Sequence, residues 1–190
     1  GSLLARCTPE LIALGKTHYR LKNSSVNITD MNNTFMTLFW AMLGDAKKSG
    51  LAQVQINDGM RTLAEQKRLY KAYCDWKKGI GPKASAAAVP GTSRHGFGIA
   101  MDINTVNANA LDNKGLLKKW GFHRPLIKSL NETWHIQNIY TDKEKGTGQT
   151  KIDNTQPKPN AATSTTSASP STANVSYQDS SGKITTSPSS

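Results

Sequence analysis

No apolar run in this 190-residue chain approaches the ~18 residues that a membrane-crossing helix requires, so no membrane span is expected. Cysteine is scarce. Cys7 and Cys74 stand far apart and form no CxxC pair, which argues against a cysteine-ligated metal site or thioredoxin-like chemistry. They suit either one disulfide in an oxidising compartment or two buried thiols. No basic segment followed by a hydrophobic stretch opens the sequence, so no signal peptide is expected. No period of roughly 20–50 residues repeats, which argues against a solenoid. Acidic residues are outnumbered 13 to 24 by lysine and arginine, for a net charge of +11. That excess favours an anionic partner, for which nucleic acid and the carboxylates of a bacterial cell wall both qualify, or is simply a basic surface. The cations are scattered and no nucleic-acid-binding motif is present, so no specific nucleic acid is expected.

What remains divides in two. Residues 1–150 carry well-punctuated helix and strand signals, whereas 151–190 are rich in Ser, Thr, Pro and Asn ("NAATSTTSASPSTANVS"). Such a segment buries too little apolar surface to offset its ordering entropy, and it reads as a disordered tail or linker. Within the first part, "CTPELIALG" offers Thr8 as N-cap, Pro9 at the first helical position and Gly15 as a stop. The stretch "ITDMNNTFMTLFWAMLGDAKKSG" spaces Phe35, Leu38, Phe39 and Met42 as one helix face and ends at Gly50. In "TLAEQKRLYKAYCDWKKG", Thr62 and Glu65 form a capping box, and Leu69, Tyr73 and Trp76 share a face expected to be core. A short helix is expected over 113–120, closed by Gly121.

Strands fit 51–58 ("LAQVQIND"), 98–104 ("GIAMDIN") and 133–139 ("TWHIQNI"). In the second, Ile99, Met101 and Ile103 face one way and Ala100, Asp102 and Asn104 the other. In the third, His135 and Gln137 oppose Trp134, Ile136 and Asn138. The order of elements predicts an α+β fold with a small, mainly antiparallel sheet packed with helices.

Three polar residues from these segments, His95, Asp102 and His135, make a ligand set for a catalytic zinc with a fourth position left for water. Such an ion lowers the pKa of water towards ~7 and polarises a carbonyl. The chemistry also needs a general base, and Glu132 is the nearest carboxylate in sequence. Positions three apart on a strand face opposite ways, so Glu132 requires a bend before the strand of His135. His18 and His123 read as solvated or structural.

The stretch "PGTSRHGFGIAMDI" resembles the S-x-H-x-x-G-x-A-x-D signature of the zinc D-alanyl-D-alanine carboxypeptidase family, which includes vancomycin-resistance D,D-peptidases and phage L-alanyl-D-glutamate endopeptidases. "WGFHRPLIKSLNETWHIQ" is similar to its second signature, and "NDGMRTLAEQKRLY" to an upstream G-x-R-[ST]-x-x-x-Q-x-x-L-Y segment. Three motifs in family order, over roughly residues 50–140, make a specific match. Met60 and Gln137 depart from the family pattern without removing a ligand.

The resemblance implies the hedgehog-like metallopeptidase fold and one Zn2+ per chain on His95, Asp102 and His135. It makes Glu132 the general acid/base and Arg61 the oxyanion stabiliser, with Ser93 and Gln66 contacting substrate or supporting the site. The implied partners are peptidoglycan stem peptides at the bacterial cell wall, in a periplasmic, extracellular or virion-associated setting. The expected activity is that of an L-alanyl-D-glutamate endopeptidase of a phage lysin or virion component, with other virion proteins as possible partners. The alternatives are a D,D-carboxypeptidase removing terminal D-Ala and a non-catalytic, metal-bearing wall-binding module.

Overall fold

The computed structural model describes residues 2–144 and the backbone of two short strands at 175–178 and 184–187. Helix α1 (Pro9–Gly15) begins as its sequence dictates, with the Thr8 side chain accepting a hydrogen bond from the Leu11 amide. Helix α2 (Asn33–Lys48) is capped by Asn32, which accepts from the Phe35 amide. Its face of Phe35, Leu38, Phe39 and Met42 is wholly buried. The two helices touch backbone to backbone: a Cβ on Gly44 would stand 2.3 Å from the Leu11 carbonyl oxygen.

The sheet has the order β1-β2-β3-β5-β4, built from β1 (Tyr19–Leu21), β2 (Val54–Asp58), β3 (Ala100–Ile103), β4 (Phe122–His123) and β5 (His135–Asn138). Only β1 and β2 run parallel; the other pairs are antiparallel, as the sequence predicts. One face, with Val54, Ile56, Met101, Ile103 and Ile136, joins α2 in the main core. Phe122 from β4 meets Phe35 edge-on at 5.2 Å. The other face carries Asp102, His135 and Gln137.

Register aligns that polar face. Asp102 pairs with His135 across β3 and β5, and with Asp58 across β2 and β3. The ladder shifts between Ile56 and Asp58, an irregularity of the β-bulge type. In a regular ladder continued from the Ile56–Ile103 pair, Asp58 would lie opposite Met101 on the core side. The extra residue sets it beside Asp102 instead.

Several expectations are corrected. The helix placed at 113–120 is two helices, α4 (Thr105–Asn113) and α5 (Leu116–Lys119). Asn104 caps α4 by accepting from the Val106 and Asn107 amides, and Gly115, at φ 74°, ends one helix and starts the next. Strands β1 and β4 and helix α6 (Ile127–Leu130) were not foreseen, being too short to show a period. Helix α3 (Leu63–Lys77) keeps its Thr62 cap, but its stripe of Leu69, Tyr73 and Trp76 is half-buried, and Gln66 and Ala72 are the residues it buries fully. Cys7 and Cys74 are both free thiols. The segment read as a tail, 151–190, lies outside the described residues apart from the antiparallel strands β6 (Val175–Gln178) and β7 (Ile184–Ser187).

Candidate metal centre

His95 sits on a four-residue 3-10 turn, Arg94–Phe97, rather than on a strand. Gly98 ends the turn in the left-handed region at φ 70° and lies close against the backbone of Asp30, Met31 and Asn32. A side chain there would be strained in conformation and also crowded, since its Cβ would stand 2.9 Å from the Asn32 nitrogen. The turn places His95 Nε2 3.3 Å from Asp102 Oδ1, while Nδ1 lies 2.9 Å from the Gly59 carbonyl oxygen, to which it donates. His135, the first residue of β5, brings Nδ1 to 3.2 Å from the same carboxylate oxygen, and its Nε2 faces Gln137 Oε1 at 2.9 Å. The two imidazole centroids are 5.2 Å apart.

His95, Asp102 and His135 are almost completely buried, and their ligand atoms all lie within 4.8 Å of one another. On each histidine one nitrogen is engaged by a protein oxygen and the other points into the cluster. That leaves two imidazole nitrogens and one carboxylate aimed at a common point, a donor set that fits zinc. Burial works to raise the pKa of Asp102, but His95 and then His135 outweigh it and hold the carboxyl below the ordinary carboxylate range.

The residues expected around the metal are also here. Asn131 adopts a left-handed conformation at φ 55° and ends α6. Glu132 therefore lies in the connection before β5, which provides the bend it needed. Its carboxylate is 4.0 Å from His135 Nδ1. Burial first, then Asp102, pushes its pKa up to about 7, against the opposing pull of His135 and Arg61. A carboxyl titrating there is suited to accept and return a proton near neutral pH.

Arg61, just ahead of α3, donates from Nε to Asp58 at 2.6 Å, from Nη1 to Gln66 at 3.2 Å and from Nη2 to Asp102 at 3.5 Å. Burial opposes its charge, but Asp58 and Asp102 more than compensate and raise its pKa. Arg61, His95, Asp102, Glu132 and His135 line a cavity of about 360 Å3 together with Ser93, Arg94, Gln137, Ala86–Ala88, Leu126 and Leu130.

Ser93 thus reaches the cavity as expected. Gln66 does not line it; fully buried, it grips Arg61 and donates to the Ala88 carbonyl at 2.9 Å. Sequence reasoning passed over Asp58, although it stands three residues before Arg61, a spacing that suits an ion pair. It also passed over Arg94 and Asp142, the latter seven residues beyond His135 and outside any motif. His123, read as structural, bonds to Asp142 at 2.7 Å.

A family model described as VanY, D-alanyl-D-alanine carboxypeptidase, matches residues 29–148, a span holding every residue of the centre. No curated protein matches. Among solved structures, one that matches is the crystal structure of a mutant vancomycin-resistance D,D-pentapeptidase VanY from a VanB-type resistance cassette, in complex with Zn(II). It is 22% identical, with a TM-score of 0.44, over 57% of this chain and 72% of that one.

Proposed function

The chain belongs to the VanY D-alanyl-D-alanine carboxypeptidase family, zinc metallopeptidases that hydrolyse peptidoglycan, and from that premise we propose a role for each residue of the centre. His95, Asp102 and His135 hold one zinc ion. The observation that carries this reading is their convergence within 4.8 Å at a cavity that Glu132 and Arg61 also line. The chemistry zinc supplies when bound is a lowered pKa for water and polarisation of a peptide carbonyl.

Glu132 takes a proton from the attacking water and delivers it to the leaving amine nitrogen as the peptide C–N bond breaks. Its place beside the cluster, 4.0 Å from His135 Nδ1, serves both steps. Arg61 carries a fixed positive charge, and its Nη2 has the longest of its three contacts, to Asp102 at 3.5 Å. That nitrogen is the donor with capacity for charge developing on the carbonyl oxygen. Asp58 and Gln66 fix the guanidinium plane through Nε and Nη1.

The bond we assign is the one before a terminal D-Ala of a stem peptide at the bacterial cell wall. The alanine and leucine walls of the cavity match small methyl side chains, and Arg94 at its edge matches a free carboxylate. The L-alanyl-D-glutamate specificity expected from the sequence is the other candidate, since a D-glutamate carboxylate would suit the same arginine.

Elemental analysis of the purified protein, with mass spectrometry of muropeptides digested with and without a chelator, tests both levels. One zinc per chain and chelator-sensitive loss of a single D-Ala support the full assignment. Release of the stem from its L-Ala moves the assignment to the endopeptidase. Zinc binding without cleavage of any stem favours the wall-binding module, and no zinc after reconstitution refutes the metal centre.

A further inference from the structure

A chain of hydrogen bonds leads away from the centre on the side opposite Arg61. His135 Nε2 lies 2.9 Å from Gln137 Oε1, and Gln137 Nε2 donates to Asp142 Oδ1 at 3.0 Å. The other oxygen of Asp142 lies 2.7 Å from His123 Nε2. The Asp142 backbone carbonyl accepts from Arg94 Nη1 at 2.6 Å, which ties this turn to the segment bearing His95. Gln137 itself is 5% exposed and stands at the cavity lining, with both ends of its amide taken by protein groups.

The polarity of the chain is decided at its acidic end. A carboxylate only accepts, so Asp142 requires the amide nitrogen of Gln137 to face it. The amide oxygen then faces His135, where it requires a proton on Nε2. With Nε2 engaged there, Nδ1 is the nitrogen left for the metal. Nδ1 is the nitrogen that points at Asp102 within the ligand cluster.

We propose that Gln137, oriented by Asp142, is a positioning residue that holds the His135 ring with Nδ1 turned to the ligand cluster and thereby sets the metal affinity of the centre. The inference rests on the zinc reading above. An amide suits the place because it presents an acceptor to one neighbour and a donor to the other. The same argument gives Asp142, which touches no ligand directly, a role in the centre.

The test compares Gln137→Met, which fills similar space but neither accepts nor donates strongly, with the pair Gln137→Glu plus Asp142→Asn. In the pair, a carboxylate at 137 accepts from His135 and from the new amide at 142. Zinc affinity is measured by competition with a chromophoric chelator. Long-range 1H–15N NMR of the zinc-loaded protein reads which nitrogen of His135 binds the ion. The expected result is a roughly 10–100-fold loss of zinc affinity for Gln137→Met, with coordination through Nε2 gaining population. The pair keeps affinity near that of the unaltered protein and keeps coordination through Nδ1.

A packing role alone predicts the reverse order, because methionine preserves buried volume while the pair moves a negative charge from 142 to the buried position 137. Equal zinc affinity in Gln137→Met, or a pair as weak as Gln137→Met, overturns the proposal. So does coordination through Nε2 in the unaltered zinc-loaded protein, a measurement that stands even if Gln137→Met fails to fold. Failure of the unaltered protein to bind zinc refutes the metal reading instead.

Discussion

Replacing Glu132 by glutamine should change how the stability of the metal-free protein depends on pH. The carboxyl is driven from an ordinary 4.5 to about 7, chiefly by burial and by Asp102. A carboxyl whose folded-state pKa is raised holds its proton more tightly in the native chain. Its stabilisation is therefore complete below pH 4.5 and is lost as pH rises through about 7. Two and a half pKa units correspond to about 3 kcal/mol in the limit, most of which falls between pH 5 and pH 8. For a domain of this size that is roughly 8 °C in Tm. Glu132→Gln keeps the shape of the side chain and removes the titration. Thermal unfolding of both proteins in a chelator, from pH 5 to pH 8, should show the unaltered chain losing that much more than the variant. Zinc must be absent, because its binding would compete with the proton for the same cluster. Parallel losses in the two proteins would refute the claim that burial beside Asp102 controls this carboxyl.

Other outcomes follow from the same coordinates. Glu132→Ala should lower kcat/KM on a D-alanyl-D-alanine peptide by at least about 100-fold, with zinc content by elemental analysis unchanged. Chelation should abolish turnover and added zinc restore it, as followed by amino-acid release. Gly98→Ala combines a left-handed backbone with a Cβ 2.9 Å from the Asn32 nitrogen and should cost about 1–3 kcal/mol in urea unfolding. Gly44→Ala, whose Cβ would stand 2.3 Å from the Leu11 carbonyl oxygen, should destabilise by at least about 1–3 kcal/mol. Because α1 and α2 lie on the core side of the sheet, activity per folded molecule in that variant should be unaffected.

Much of the centre was legible because its chemistry is written locally. Thr8 and Thr62 cap helices with side chains next to the amides they satisfy, and alternation in β3 separates Met101 and Ile103 from Asp102. The three ligands and Glu132 lie in motifs whose spacing survives without knowledge of the fold. The parts that stayed hidden depend on distance through space. Asp58 reaches Asp102 only because the ladder slips between Ile56 and Asp58, and no periodicity reports a slip. Asp142 acts through Gln137, and neither residue type announces a role by itself. The stripe on α3 misled for a related reason. Amphipathic spacing shows which residues share a face but not what covers that face. Here Tyr73 lines the cavity and Trp76 packs on the small cluster of Ala72 and Ala84 rather than on the main core.

One feature of the turn bearing His95 reaches beyond ligand geometry. The His95 carbonyl oxygen accepts from the Arg61 amide at 3.2 Å and from the Gly98 amide at 3.3 Å, and its ring donates to the Gly59 carbonyl. The proposed metal ligand and the arginine proposed to face the substrate thus share a short piece of hydrogen-bonded backbone, and displacing one displaces the other. Loading the ion and engaging a substrate carbonyl are therefore linked events. Any free energy by which the ion improves the placement of Arg61 must reappear as tighter retention of the ion when substrate is bound. Saturating substrate should slow the escape of zinc to a chelator, and a protein stripped of zinc should lose part of its substrate affinity along with its turnover.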